Sequence, residues 1–140
     1  MSTVLWCNLL EDGNVVSDQS DKPALHKHAD KLDAIATRLG LPSFVGICDT
    51  TDARFNASDA RLPEGMTSTD EVMAKDGAWM PAEQAETLLA GLLAHIRDQR
   101  VRFGLLSNDH DQVIEELSEA LLFAKRARGP GAGFNFSIVT

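Results

Sequence analysis

The chain has 140 residues, of which 44% are hydrophobic and 24% are charged, as expected for a globular protein rather than a disordered one. A chain of this length is expected to form a single domain, residues 1–140, and to bury its core without a disulfide or a structural metal. The formal net charge of −8 opposes binding to phosphate backbones and anionic membranes, so we expect neither nucleic acid nor membrane as a partner.

The N-terminal residues Met-Ser-Thr-Val-Leu-Trp lack the basic and apolar regions of a signal peptide, and no apolar run reaches the length of about 18 residues that spans a membrane. We therefore expect a soluble, cytoplasmic protein. Cys7 and Cys48 have neither redox nor zinc spacing, which predicts two buried thiols.

The N-terminal region has the pattern of a β-hairpin. Residues 3–9 are apolar and β-favouring, and Val15 and Val16 resume this pattern after the dipeptide Asp12-Gly13. Asp-Gly between two such runs is a strong signal for a tight turn, which predicts two antiparallel strands.

A helix is predicted to follow the hairpin. Ser20 or Asp21 is its expected cap, Pro23 lies in its first turn, and Gly40 ends it with Pro42 just beyond. At about 100° per residue, its apolar positions fall on one side and form a core stripe. These positions are Leu25, Ala29, Leu32, Ile35, Ala36 and Leu39.

The stretch from Asp49 to Asp76 is acidic and has little periodicity. It has three basic side chains and seven carboxylates, which belong to Asp49, Asp52, Asp59, Glu64, Asp70, Glu71 and Asp76. Half of the net negative charge of the chain therefore falls within it. A long irregular segment in a small domain is usually a functional loop or a disordered one, so this stretch is where a functional surface is sought, and whether residues 49–67 are ordered stays open. Within it, a short helix is expected from about Thr69 to Lys75, with Ser68 or Thr69 as its cap.

Two longer helices are predicted after the acidic stretch. The first starts near Pro81 and has an apolar stripe, acidic residues early and basic residues late, which suits the helix dipole. The second is capped by Ser107 or Asn108, and its apolar stripe leaves out Leu122 and Phe123. Three of its glutamates are predicted to face away from that stripe: Glu115, Glu116 and Glu119.

The C-terminus is predicted to be a strand. Glycines within residues 129–133 break the preceding helix, and the alternation that follows places Phe134, Phe136 and Ile138 on one face. A hairpin alone is only marginally stable, whereas a third strand with packed helices forms a stable layer. The predicted fold class is therefore α+β: a small antiparallel sheet of the N-terminal hairpin and the C-terminal strand, packed against three main helices.

The sequence contains no catalytic or nucleotide-binding motif. His26 and His28 point about 200° apart on a helix, so they do not converge on one ion. His110 lies between two aspartates, but the same residues favour a helix N-terminus. The acidic stretch fails the calcium-loop pattern because Arg54 occupies a position that requires a glycine or an oxygen ligand. We expect no metal and no cofactor, although a different divalent site stays open, built from Asp49, Asp52 and Asp59.

Two segments of the chain are similar to parts of known proteins. Gly77-Ala-Trp79 precedes Glu83 and an apolar helix, and the last helix leads through glycines to the alternating residues 134–138. Over residues 77–140, this arrangement resembles small, acidic bacterial proteins of unknown function, some of which are thought to act as immunity proteins against toxins. The resemblance rests on packing residues, so it implies a class of protein and no functional residue.

Charge concentrated in an irregular segment, without a convergent catalytic set, predicts a non-enzymatic protein whose acidic surface engages a basic protein partner. Aromatic side chains within or beside this segment are the expected anchors. The predicted contact residues are Asp49, Asp52, Phe55, Asp59, Asp76 and Trp79.

Two alternatives stay open. The first is a small hydrolase or metal-dependent enzyme, which requires His28, His110, Cys48 and nearby aspartates to converge in the fold. The second is a subunit of a homo-oligomer, formed through Leu122 and Phe123, which do not fit the apolar stripe of their helix.

Overall fold

The computed structural model describes residues 2–57 and 61–140. Its strands are β1 (Val4–Glu11), β2 (Asn14–Ser17), β3 (Cys48–Asp49), β4 (Met80–Pro81) and β5 (Gly133–Val139). Its helices are α1 (Pro23–Lys27), α2 (Ala29–Arg38), α3 (Thr51–Ala57), α4 (Thr69–Asp76), α5 (Ala82–Gln99) and α6 (His110–Ala124), with a short 3-10 helix at Val45–Ile47. The fold is α+β, as the sequence predicts.

The sheet joins the two ends of the chain. β1 forms the hairpin with β2 and also pairs antiparallel with β5, so that Cys7 lies opposite Phe136. Asp12 and Gly13 in the hairpin turn both have positive φ, as a tight two-residue turn requires. The predicted hairpin and terminal strand are confirmed. The short strands β3 and β4 also pair with β5, in parallel and antiparallel orientation, and two residues are too few to give a periodic signal in the sequence.

The core lies between one face of the sheet and the long helices. Phe134 and Phe136 point into it, and their fully buried rings meet edge to face with centroids 5.1 Å apart. α5 buries its predicted apolar stripe against these strands. Because burial of a leucine-sized side chain contributes about 1.5–3 kcal/mol, this stripe is a large part of what holds α5 to the sheet.

The predicted first helix is divided into α1 and α2. The break is at His28, whose backbone angles (φ −109°, ψ 19°) are not helical. The His28 ring contacts the Asp109 carboxylate at 2.8 Å and meets the Phe103 ring edge to face at 5.3 Å. Because both partners are distant in sequence, the helical periodicity of residues 23–38 does not predict the break.

Glu116 of α6 caps α1 from another part of the chain. Its carboxylate accepts hydrogen bonds from the backbone N–H groups of Leu25 at 3.0 Å and Ala24 at 3.3 Å. The predicted caps, Ser20 or Asp21, are wrong because the N-cap position of α1 is Lys22, whose side chain makes no capping bond. The predicted outward orientation of Glu116 is also wrong, since only 5% of the residue is exposed.

Candidate functional site

The sheet has a second, polar face opposite the core. Alternation places Asn8 of β1 and Asn135 and Ser137 of β5 on this face, and at most 1% of each residue is exposed. The acidic segment is defined as residues 49–76, of which residues 49–57 and 61–76 are described. Its helices lie over this face, with α3 against β5 and α4 against β2. The helices of the stretch in which function is predicted therefore pack on buried polar groups.

The predicted short helix within the acidic segment is confirmed as α4. The Ser68 hydroxyl accepts a hydrogen bond from the Glu71 N–H, and the Glu71 carboxylate accepts bonds from the backbone and hydroxyl of Thr67. These reciprocal bonds fix the first turn of α4. The sequence does not predict α3, whose seven residues are too few for a clear helical pattern.

Asp49 joins the start of the acidic segment to the residues just beyond its end. One carboxylate oxygen accepts a hydrogen bond from the Thr51 N–H at 3.0 Å, and the other accepts one from the Ala78 N–H at 2.9 Å. Trp79 strengthens the same corner, because its indole N–H donates to the Met73 carbonyl at 2.8 Å. Both predicted contact residues therefore use their polar atoms within the fold.

Two asparagines attach this corner to the sheet. Asn8 Nδ2 donates to Asn135 Oδ1 at 2.9 Å, and Asn135 Nδ2 donates to the Ala78 carbonyl at 2.9 Å. Asn8 Nδ2 also lies 3.9 Å from the Met73 sulfur of α4. A buried amide without partners would be costly, so these bonds stabilise one position of the segment on the sheet.

A pocket of about 290 Å³ opens between the acidic segment and the polar face. Trp6, Asn8 and Ser137 contribute to it from the sheet, while Asp52 and Asp70 contribute from α3 and α4. Burial raises the pKa of the Asp70 carboxyl, and the negative charge of Asp52 raises it further. The two carboxylates thus create a region of negative potential at the pocket.

The structure separates the predicted contact residues into groups. Asp52 lines the pocket, and Asp76 is exposed at the end of α4. Phe55 is half-buried, with the Arg54 guanidinium 5.2 Å from its ring centroid. Asp49 is buried, so it is not part of the exposed acidic surface, and Asp59 lies outside the described residues.

Several residues of the pocket were not predicted from the sequence. In the sequence, Asp70 is one of seven acids in its stretch and nothing distinguishes it from the others. Trp6, Asn8 and Ser137 lie in the predicted strands, where no motif indicates a role. The alternation in the terminal strand does carry a usable signal. If Phe134 and Phe136 face the core, Ser137 must face the opposite side, where a buried serine needs a polar neighbour.

The residues of the alternative enzyme are bound to separate partners. His28 contacts Asp109, whereas the His110 Nδ1 lies 2.7 Å from the Val101 carbonyl oxygen. The Cys48 thiol donates to a backbone carbonyl, and no hydrogen bond in the described part of the chain joins it to either histidine. Burial raises the pKa of Cys48 to about 12, so the thiolate needed for nucleophilic attack is disfavoured. Among residues 2–57 and 61–140, no three His, Cys, Asp or Glu side chains form a potential metal site.

Leu122 and Phe123 lie in different environments. Phe123 is 5% exposed and belongs to the core, whereas Leu122 is 67% exposed. Any contact with another copy of the chain at this point of α6 would therefore use Leu122 without its neighbour.

Comparisons of this chain with protein-family models, with curated proteins and with solved structures give no match. The resemblance of residues 77–140 to small acidic bacterial proteins stays a prediction. Of the helices described, none is both long and apolar enough to cross a lipid bilayer.

Proposed function

We propose that the protein is a non-enzymatic cytoplasmic binding protein that engages a basic protein partner through its acidic segment, in the manner of an immunity protein. One observation carries this proposal. The carboxylates of Asp52, Asp70 and Asp76 make no ion pair with any residue that the structure describes. Their charge is available to a partner instead of being neutralised within the fold.

The scaffold beneath these carboxylates also supports a binding role. The Asp49 bonds and the asparagine network hold α3 and α4 in place on the sheet. A surface that is already ordered loses little conformational entropy when a partner binds. The unpaired negative charges would attract a basic protein over a distance of about 10 Å at moderate salt and accelerate its association.

The two cysteines support a cytoplasmic location in this proposal. Cys7 and Cys48 are both free thiols. Disulfides are rare in reducing compartments, where thiols stay free. Two unpaired cysteines are therefore consistent with a protein of the cytoplasm.

Two triple variants with the same change in net charge test the proposed function. The segment variant carries Asp52→Asn, Asp70→Asn and Asp76→Asn. The matched control carries Asp98→Asn, Glu115→Gln and Glu119→Gln, which neutralise exposed carboxylates on α5 and α6.

The wild-type protein and both variants are immobilised and exposed to a bacterial extract at low salt, and the retained proteins are identified by mass spectrometry. We expect the wild type and the control to retain the same basic protein and to release it at high salt, whereas the segment variant does not retain it. Equal retention by all three, or no basic protein on the wild type, would contradict the proposal.

A further inference from the structure

Two buried side chains present free oxygen atoms to the pocket between the acidic segment and the sheet. Ser137 and Asn8 are each only 1% exposed. Within residues 2–57 and 61–140, the Ser137 hydroxyl has no hydrogen-bond partner, and Asn8 uses its amide nitrogen but not its carbonyl oxygen. The described chain contains no enclosed side-chain nitrogen or oxygen that lacks a partner, so each of these two oxygens keeps a small accessible surface, and both residues line the pocket.

The charged groups of the pocket are all hydrogen-bond acceptors, whereas its other polar side chains, among them Ser17, Gln19, Asn56 and Thr69, can both donate and accept. Asp52 and Asp70 supply carboxylate oxygens. Asn8 supplies its side-chain carbonyl oxygen, because its side-chain nitrogen already donates to Asn135. Carboxylates accept hydrogen bonds and donate none. A ligand that matches these charged groups is therefore positively charged and rich in donors. A phosphate or a carboxylate would be repelled.

From this arrangement we infer that the pocket receives the guanidinium group of an arginine side chain. Guanidinium is planar, has five N–H donors and no acceptor, and forms paired bonds with carboxylates. The inference rests on the proposed function, since the arginine would come from the basic protein partner. It adds to that function a single defined contact at which the partner is recognised.

Trp6 provides a second feature that suits guanidinium. Trp6 is one of the residues that line the pocket, and its indole Nε1 donates to Asp21 at 2.7 Å, which fixes the position of the ring. Arginine is the cation that most often stacks on an aromatic ring. A lysine ammonium would gain from the same carboxylates, but it has no flat surface with which to stack on the indole.

A titration followed by NMR amide spectra tests the inference with a defined probe. N-acetyl-L-arginine amide carries a guanidinium on an otherwise neutral backbone, and N-acetyl-L-citrulline amide has nearly the same shape without the charge. We expect the arginine probe to shift the signals of the Trp6 indole, Asp70 and Ser137, with saturation. The citrulline probe should shift them little at the same concentration.

Three single variants locate the binding site. Asp70→Asn removes a pocket carboxylate, while Asp76→Asn removes an equal charge from the same helix outside the pocket. Loss of a hydrogen bond to a charged group reduces affinity about tenfold, so we expect this weakening for Asp70→Asn and almost none for Asp76→Asn. Ser137→Ala should also weaken binding without lowering the melting temperature, because its hydroxyl has no partner to lose in the free protein.

Two results would overturn the inference: no saturable shifts at the pocket with the arginine probe, or equal weakening by Asp70→Asn and Asp76→Asn. Neither result bears on whether the acidic segment binds a basic protein, which the two triple variants test separately. Conversely, saturable binding of the arginine probe without any basic protein on the immobilised wild type would support the pocket and contradict the proposed function.

Discussion

Asp49 accepts a hydrogen bond from the Ala78 N–H at 2.9 Å, although the two residues are 29 positions apart in the chain. The carbonyl oxygen of the same alanine accepts a hydrogen bond from Asn135 Nδ2 of β5 at 2.9 Å. Ala78 is thus held on one side by the start of the acidic segment and on the other by the sheet. This relationship ties the start of the acidic segment and the residue after Gly77 to the polar face of the sheet.

Replacing Asp49 should weaken this connection. Asp49→Ala leaves the N–H groups of Thr51 and Ala78 without their partner, and an unpaired buried donor costs about 1–3 kcal/mol. We expect a loss of unfolding free energy in this range, measured by urea denaturation. Asp76→Ala on the exposed end of α4 is the control and should change it by less than about 0.5 kcal/mol. Equal losses of unfolding free energy for the two substitutions would show that the Asp49 hydrogen bonds do not stabilise the fold more than an exposed carboxylate does.

Glu116 should make stability depend on pH. Burial raises the pKa of its carboxyl, and the hydrogen bonds from Leu25, Gln112 and Ala24 oppose that rise. The folded protein therefore holds the Glu116 proton more tightly than the unfolded chain does. Ionisation of this residue costs stability as pH rises from the ordinary glutamate pKa of about 4.3 to the raised value.

The variant Glu116→Gln tests this dependence because it cannot ionise. The difference in unfolding free energy, variant minus wild type, should increase as pH rises through that window, because only the wild type is destabilised, and should then stay level. Urea denaturation at a series of pH values gives the comparison. Parallel curves for the two proteins would mean that the Glu116 pKa is the same in the folded and unfolded chains.

Lys22 and Asp18 form an ion pair that should respond unequally to its two possible deletions. The Lys22 side chain is fully buried, and its ammonium also donates to the Ser20 carbonyl. Asp18→Ala leaves this charge buried without its counter-ion, which costs about 3–5 kcal/mol. Lys22→Met removes the charge and fills the space, so we expect a clearly smaller loss of unfolding free energy. A larger loss of unfolding free energy for Lys22→Met than for Asp18→Ala, in thermal or urea denaturation, would contradict this expectation.

The cysteines should be chemically inert in the folded protein. Burial raises the pKa of Cys7 and raises that of Cys48 to about 12, the latter with help from the Asp33 charge. Since the thiolate is the reactive form, we expect no alkylation by iodoacetamide at neutral pH until the chain is unfolded in urea. Mass spectrometry measures the modification. Rapid labelling of Cys48 in the native protein would favour the alternative of a hydrolase.

The sequence predicted those elements whose signals are local. The Asp12-Gly13 turn, the alternation of Phe134 and Phe136, and the Ser68 cap are all specified by neighbouring residues. The break at His28 and the orientation of Glu116 were not predictable, because their causes lie at distant positions in the chain.

The candidate site was predictable only in part for the same reason. Charge composition located the acidic segment and included Asp52 among its contact residues. The pocket exists only because α3 and α4 fold back over the polar face that Asn8 and Ser137 form. No spacing in the sequence connects residues from three separate regions of the chain.

The affinity of the captured basic protein for the two triple variants tests whether the acidic segment is the binding surface. Isothermal titration calorimetry at low salt compares wild type, the segment variant (Asp52→Asn, Asp70→Asn, Asp76→Asn) and the control altered on α5 and α6. We expect a Kd at least about tenfold weaker for the segment variant, since each lost charge contact costs affinity, and a nearly unchanged Kd for the control. Equal weakening by both variants would mean that net charge alone drives binding, and it would contradict the acidic segment as the binding surface.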